Sequence, residues 1–346
     1  MGLFDGSNTI TDIARLADVS TATVSRVINN PKVVKSETRE KVQEVIKKIN
    51  YTPNRLARGL IIKSTNTIGI ILQDINNMYY PSVIRGVEDR FSESDYGLFL
   101  CNTDGDIEKE KKHINLLIER RVDGLILLGT RPLGIDKNQH VLEVAKSIPL
   151  ITLNDSIKGE GIYSVQNDEE KGAYDAVSYL IGLGHERIAI INGNKNFTTY
   201  EYKLAGYKKA LKENHLSIKQ EYIVKVEPYE RGGHEGVQKL LKTNYPPTAI
   251  FVASDQISIG VYKAIYECGY RIPEDVSVIG FGGISLANEM YPELTTVNQF
   301  PYKLGRVAAE TMIQVLGKGN PKSKHKIIHC KLELGKSCSG ISQKKT

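Results

Sequence analysis

Between residues 64 and 346, seven short apolar runs recur about every 25–30 residues: IGIIL, LFLCN, GLILLG, PLITLN, IAIING, AIFVAS and VSVIGF. Helical patterns such as HINLLIER and AYDAVSYLIGLG separate most of them. A strand that is apolar without alternation has no face to give to water, so it must be covered on both sides. That is the situation of a parallel sheet in an α/β fold. Roughly 280 residues exceed what one such core usually holds, and two side-by-side α/β subdomains are therefore predicted. In open sheets of this kind, ligands collect at the carboxyl ends of the strands. The polar residues at the ends of such runs are Asp74, Asn194, Ser254 and Asp255, with Asp168 after YSVQN and Gly282 after VSVIGF. Each is either a ligand contact or the cap of the helix that follows.

The first 63 residues have a different texture. They hold eleven Lys/Arg against six Asp/Glu, whereas the remaining chain holds 35 against 34, so most of the net charge of +6 sits in the first fifth. A polyanion is the natural partner for such a segment. In TITDIARLA, Thr9 and Asp12 resemble a capping box, and Ile10, Ile13, Ala14 and Ala17 share one helical face. After the tight ADVS, Ser20 stands as the cap of a second helix, in which Val24, Val27 and Ile28 form the apolar stripe. A third helix is predicted from a cap at Ser36, carrying Val42, Val45, Ile46 and Ile49 at helical spacing. Three short helices on one small core, the first two joined by a tight turn, make a helix-turn-helix module.

The face of the second helix opposite its apolar stripe carries Thr21, Ala22, Ser25, Arg26 and Asn29. A merely solvated face would favour Glu, Lys and Gln, whereas small side chains around one long fork of donors suit close docking in a major groove, with Arg26 able to pair with guanine. Next comes YTPNRLARGL. Pro53 and Asn54 are helix-start signals, Leu56, Ala57 and Leu60 lie on one side, and Arg55 and Arg58 flank them. So short a helix orders only against a partner, and its apolar residues suit a minor-groove wedge.

TITDIARLADVSTATVSRVINN followed by YTPNRLARGL resembles the N-terminal signature of the LacI/GalR family of bacterial transcription regulators. The resemblance continues through VDGLILL, LGHERIAIING, IPEDVSVIGF and PELTTVNQ, and so covers almost the whole chain. It implies a helix-turn-helix domain over 8–52, a hinge helix and linker over 53–63, and a core over 64–346 similar to periplasmic sugar-binding proteins. The core would divide into an N-subdomain (about 64–165 and 298–325) and a C-subdomain (about 166–297 and 326–346), with crossovers near 164–168, 294–299 and 323–328. It also implies a homodimer on a pseudo-palindromic double-stranded operator, with Asn54, Ala57 and Arg58 at the DNA and Leu60 as the wedge, and a small-molecule effector in the cleft. The matching effector positions are Tyr79, Tyr80, Asp168, Thr199, Lys203, Tyr229 and Ser254. Some relatives take a phosphorylated carrier protein as co-repressor on the core surface.

Three departures bear on the effector. Lys203 replaces the usual Arg, Gly282 replaces an Asp that accepts from hydroxyls or a base, and Ser254 replaces a common Asn. A point ammonium cannot reproduce a bidentate fork. A simple hexose would lose acceptors here, and among sugars, sugar phosphates and other anionic metabolites the anionic ones suit Lys203 better.

Other classes find less support. GFGGIS after a strand has Ser285 where a dinucleotide fingerprint needs Gly, and no nucleophile elbow, phosphate-loop lysine or HExxH pair occurs, so no catalytic residue or cofactor is expected. His185 reads as a turn or cap residue rather than a base. A secreted sugar receptor would share the core but would carry a signal peptide in place of a basic three-helix module. No apolar run approaches a membrane span, MGLFDG lacks the hydroxyl that myristoylation needs at position 6, and a cytoplasmic, membrane-free protein is expected. Cys101, Cys268, Cys330 and Cys338 show no CxxC spacing and read as free thiols. His325, His329, Cys330 and Cys338 could be drawn as a metal cluster, but HKIIHC reads as a strand, which points neighbours 329 and 330 to opposite faces, so no metal is expected. The sequence thus reads as a repressor.

Overall fold

The computed structural model describes residues 9–49, 51, 64–129, 131, 138–155, 157–193, 197–319, 321 and 323–341. The chain forms two compact units, the second beginning at Asn66.

Among its described residues the first unit holds α1 (Ile10–Leu16), α2 (Thr21–Asn29) and α3 (Ser36–Lys48), with a 3-10 turn at Pro31–Val33 between the last two. Thr9 caps α1 through the reciprocal box: the Asp12 N–H donates to Thr9 Oγ1 at 3.3 Å, and the Thr9 N–H donates to Asp12 Oδ2 at 2.8 Å. Ser20 Oγ accepts the Thr23 N–H at 3.1 Å and so starts α2. Between them Asp18 adopts φ of 52°, a left-handed conformation that Asp tolerates better than most side chains. At α3 the expected cap is displaced by one residue. Lys35 stands at the cap without a side-chain bond, and Ser36, already inside the helix, donates to Glu40 Oε1 at 2.9 Å. Ile13, Ala14, Ala17, Val24, Val27 and Val42 form the buried centre, with Ile10, Ile28, Val45, Ile46 and Ile49 packed around it.

The second unit holds two six-stranded sheets. In the first, β1 (Thr67–Leu72), β2 (Gly97–Asn102), β3 (Gly124–Leu128), β4 (Leu150–Leu153), β5 (Ile162–Asn167) and β11 (His325–Ile328) lie in the order β11-β5-β4-β3-β1-β2, all parallel. In the second, β6 (Ile188–Gly193), β7 (Ile223–Val226), β8 (Ala249–Val252), β9 (Ser277–Gly282), β10 (Thr295–Asn298) and β12 (Lys331–Glu333) follow the order β12-β10-β9-β8-β6-β7. Only β12 runs antiparallel, against β10. Strands β3, β4, β6, β8 and β9 are buried along their whole length, as runs without polar alternation require.

Helices cover both faces of each sheet. α4 (Tyr79–Ser92) and α12 (Pro301–Leu316) bury Val83, Val87, Phe91, Leu304, Ala308 and Met312 against the first sheet, and α5 (Ile107–Glu119) and α6 (Gln139–Val144) bury Ile114, Leu117 and Val141 on its other side. On the second sheet, α7 (Glu169–Gly182) and α8 (Thr198–Glu213) cover one face, α9 (Glu230–Leu241) and α10 (Asp255–Glu267) the other. The short α11 (Leu286–Glu289) follows β9. α4 and α12 approach so closely that a Cβ on Gly86 would collide with the backbone carbonyl of Tyr302.

The chain passes from one sheet to the other three times, after Asn167, after Asn298 and after Ile328. The last passage falls three residues later than the boundary at 325. Ile328 is 6% exposed inside the apolar cluster of the first sheet and pairs in register with Asn167, which keeps β11 there.

Candidate functional site

On α2, Val24 and Val27 are buried whereas Thr21, Ala22 and Arg26 are exposed and Ser25 is half-buried. Asn29 closes the helix. One turn-spaced face of small side chains with a single guanidinium is thus left outside the small core. Asn54, Ala57, Arg58 and Leu60 lie outside the described residues.

In the second unit a cavity of about 100 Å³ opens between the sheets, at the carboxyl ends of strands from both. β1 delivers Gln73 and Asp74, β3 Gly129, β4 Asn154, β8 Ala253 and Ser254, and β9 Phe281 and Gly282. Six of the seven expected effector residues line it: Tyr79, Tyr80, Thr199, Lys203, Tyr229 and Ser254. Tyr79 accepts from Asn154 Nδ2 at 2.8 Å, and the Tyr80 hydroxyl donates to Gln73 Oε1 at 3.1 Å. Burial pushes both phenols well above their ordinary range. Tyr229, at the start of α9, reaches across to the other subdomain, its hydroxyl donating to Asp74 Oδ2 at 2.8 Å, and burial together with that carboxylate pushes its phenol up to about 12. The Met78 N–H donates to Gln256 Oε1 at 3.4 Å, a second bridge across the cleft. Ser254 caps α10, accepting the Gln256 N–H at 3.3 Å, so it serves as cap and cavity wall together.

Lys203 is 5% exposed. Its Nζ donates to the Ala253 carbonyl at 3.0 Å, lies 3.8 Å from Glu169 Oε1 and sits 4.2 Å from the centre of the Phe281 ring. Burial lowers its affinity for the proton and the Glu169 charge opposes that shift. The ammonium is therefore balanced within the protein rather than held in reserve for an anion.

Asp168 is placed elsewhere. Its carboxylate accepts the Cys330 N–H at 2.6 Å and pairs with His329 Nδ1 at 2.8 Å, tying the first passage between the sheets to the third, and its neighbour Glu169 faces the cavity instead. Asp255 is also structural: its carboxylate accepts from Thr296 Oγ1 at 2.6 Å and from the Gly283 and Ile284 N–H groups at 2.7 and 3.1 Å. A Cβ on Gly282, which has φ of 148°, would sit 3.1 Å from Asp255 Oδ2, a tight approach in a backbone conformation that side chains rarely adopt. Asn194 lies outside the described residues. The sequence reading missed Glu169, Gln299, Gln256, Tyr200 and Phe197, all in the cavity wall. Only Glu169 carried a usable signal, as the second carboxylate after a strand end. His185 is buried in the turn after α7, its Nδ1 facing Thr248 Oγ1 and its Nε2 the Ser339 carbonyl, both at 3.0 Å.

Residues 9–54 match the bacterial regulatory proteins of the lacI family, and residues 177–338 match a periplasmic binding protein-like domain. Over 306 residues the chain is 38% identical to the ribose operon repressor of Haemophilus influenzae, covering 88% of this chain and 91% of that one. The chain belongs to the lacI family. It is likewise 39% identical over 312 residues to catabolite control protein A of Priestia megaterium, covering 90% of this chain and 93% of that one. A solved Lac repressor dimer bound to operator and the anti-inducer ONPF superposes with a TM-score of 0.87 at 27% identity, covering 96% and 99% of the two chains. This member of the family is a DNA-binding transcriptional repressor controlled by a small effector. Among its described residues no helix is long and apolar enough to cross a membrane.

Proposed function

We propose that Thr21, Ala22, Ser25, Arg26 and Asn29 read base edges in the half-sites of a two-fold-related operator, and that the hinge residues Asn54, Ala57, Arg58 and Leu60 complete the DNA contact. The protein acts as a homodimer, the state of the Lac repressor structure it resembles, in the cytoplasm where such DNA resides. Tyr79, Tyr80, Thr199, Lys203, Tyr229 and Ser254 contact the effector, whereas Asp168 supports the crossover from behind the cavity wall.

The observation that carries the effector reading is the cavity formed by strand ends of both sheets and bridged by Tyr229 and Asp74. A ligand in that position touches both subdomains, so its affinity differs between arrangements of the two, and that difference is what coupling to DNA requires. The wall is aromatic and rich in hydrogen-bonding groups, and its buried cation already has partners, which favours an uncharged polyhydroxy ligand such as a sugar over the anionic class that Lys203 alone suggests. Thermal-shift screening of the full chain tests this, because a bound ligand raises the melting midpoint by mass action. A rise with an uncharged sugar supports the reading. A rise confined to sugar phosphates or nucleobases contradicts it.

A further inference from the structure

Glu169 stands in the first turn of α7, is 5% exposed and lines the cavity. Thr199 Oγ1 donates to it at 2.7 Å and Gln299 Nε2 at 2.9 Å, and both bonds end on Oε1, which is also the oxygen 3.8 Å from Lys203 Nζ. Among the described residues no hydrogen bond ends on Oε2. A carboxylate can accept on both oxygens, so Oε2 is left to take a donor from the cavity that Glu169 lines. The other polar groups around the cavity are largely engaged: Asp74 with Tyr229, Gln73 with Tyr80, Asn154 with Tyr79, Gln256 with Glu230 and Met78. No side chain at Gly282 offers an acceptor, and the nearby Asp255 carboxylate is taken up by β9, β10 and the turn after β9.

We infer that Glu169 determines the specificity of the effector cavity: its Oε2 accepts a hydroxyl of an uncharged polyhydroxy ligand, and its charge turns away phosphorylated or carboxylated ones. The inference rests on the reading of this cavity as the effector site. Oε1 is held by Thr199, Gln299 and Lys203, so the second oxygen is presented in a fixed direction. A ligand hydroxyl completes its hydrogen bonding at no conformational cost to the side chain. A phosphate brought to the same place meets a carboxylate, while the ammonium that could answer it is seated against Phe281 and the Ala253 carbonyl.

Calorimetric titration of the full chain with D-ribose, D-glucose and cellobiose, and with D-ribose 5-phosphate and D-glucose 6-phosphate, tests the assignment. At least one uncharged sugar is expected to bind at least about tenfold tighter than either phosphate ester. Glu169→Gln should weaken that sugar by at least about tenfold and narrow the gap between sugar and phosphate. Glu169→Asp keeps the charge beside Lys203 but withdraws the oxygen, so it should lose the sugar without gaining the phosphate; it also serves if the Gln variant fails to fold. A purely structural role would lower the melting midpoint yet leave the sugar-to-phosphate ratio unchanged. Tighter binding of a phosphate ester by the unaltered chain, unchanged sugar affinity in both variants, or no binding of any uncharged sugar at millimolar concentration overturns the inference. Sugar-free binding of the same preparation to a two-fold duplex separates these failures from a failure of the regulator reading.

Discussion

In the helix-turn-helix unit the six buried apolar residues among those described fall between Ile13 and Val42, and the caps that start its first two helices reach only three positions along the chain. The effector core is held from much farther apart: Asn167 Nδ2 donates to the Gln299 carbonyl at 2.9 Å across 132 positions, and Asp168 accepts from Cys330 across 162. One unit is therefore small, local and marginal, the other large and knotted together by its crossovers. The contrast matches the division of work. A DNA reader needs only to hold one helix rigid, whereas a sensor needs two bodies whose relation a ligand can alter.

The largest effect that could break this contrast is expected from Ile13→Ala. Truncating a fully buried Ile costs about 2–5 kcal/mol, a large part of what so small a core supplies. Operator binding should vanish while the main calorimetric transition, that of the core, stays in place; a shift of that main transition would show the units are not separable. Gly86→Ala tests the other side. A methyl forced against the Tyr302 carbonyl between α4 and α12 costs about 1–3 kcal/mol, lowering the core transition and sparing the small unit. Arg26→Ala should leave both transitions alone but remove about 1–3 kcal/mol of discrimination between operator and random duplex, read by competition binding. Equal losses on both DNAs would reduce Arg26 to a phosphate contact.

The smallest expected effect is a pH dependence confined to the core. Burial holds His185 below the ordinary 6.5, outweighing the Ser339 carbonyl, whose hydrogen bond favours the protonated ring. The unfolded chain thus binds this proton more readily, so the His185 contribution is complete above about 6.5 and is lost as pH falls through that value toward the folded one. Core melting followed from pH 7.5 to 5.5 should fall less steeply in His185→Gln than in the unaltered chain. Parallel curves would remove His185 from the account.

The same contrast explains what the sequence could disclose. The Thr9–Asp12 box, the Ser20 cap and the apolar stripes of α1, α2 and α3 involve residues close in sequence, so helical spacing alone reveals them. Only the start of α3 slipped, because Ser36 found Glu40 as a partner one turn along its own helix. In the core, strand runs were legible but partners were not. Asp168 and Glu169 are adjacent carboxylates at one strand exit, and which of them turns to the cavity is decided by Cys330, Thr199 and Gln299, all remote in the chain. The charge of Lys203 was visible, whereas its seat against Phe281 and the Ala253 carbonyl was not.

Titration of the full chain onto a two-fold-related duplex selected from a random pool, with and without the uncharged sugar that most raises its melting midpoint, tests the central claim most directly. The account predicts a salt-sensitive preference for that duplex over random DNA, and a change in affinity on adding sugar of about 5–150-fold, the usual range of coupling between two sites. Indifference to the two-fold site, or an identical affinity with and without the sugar, would contradict it.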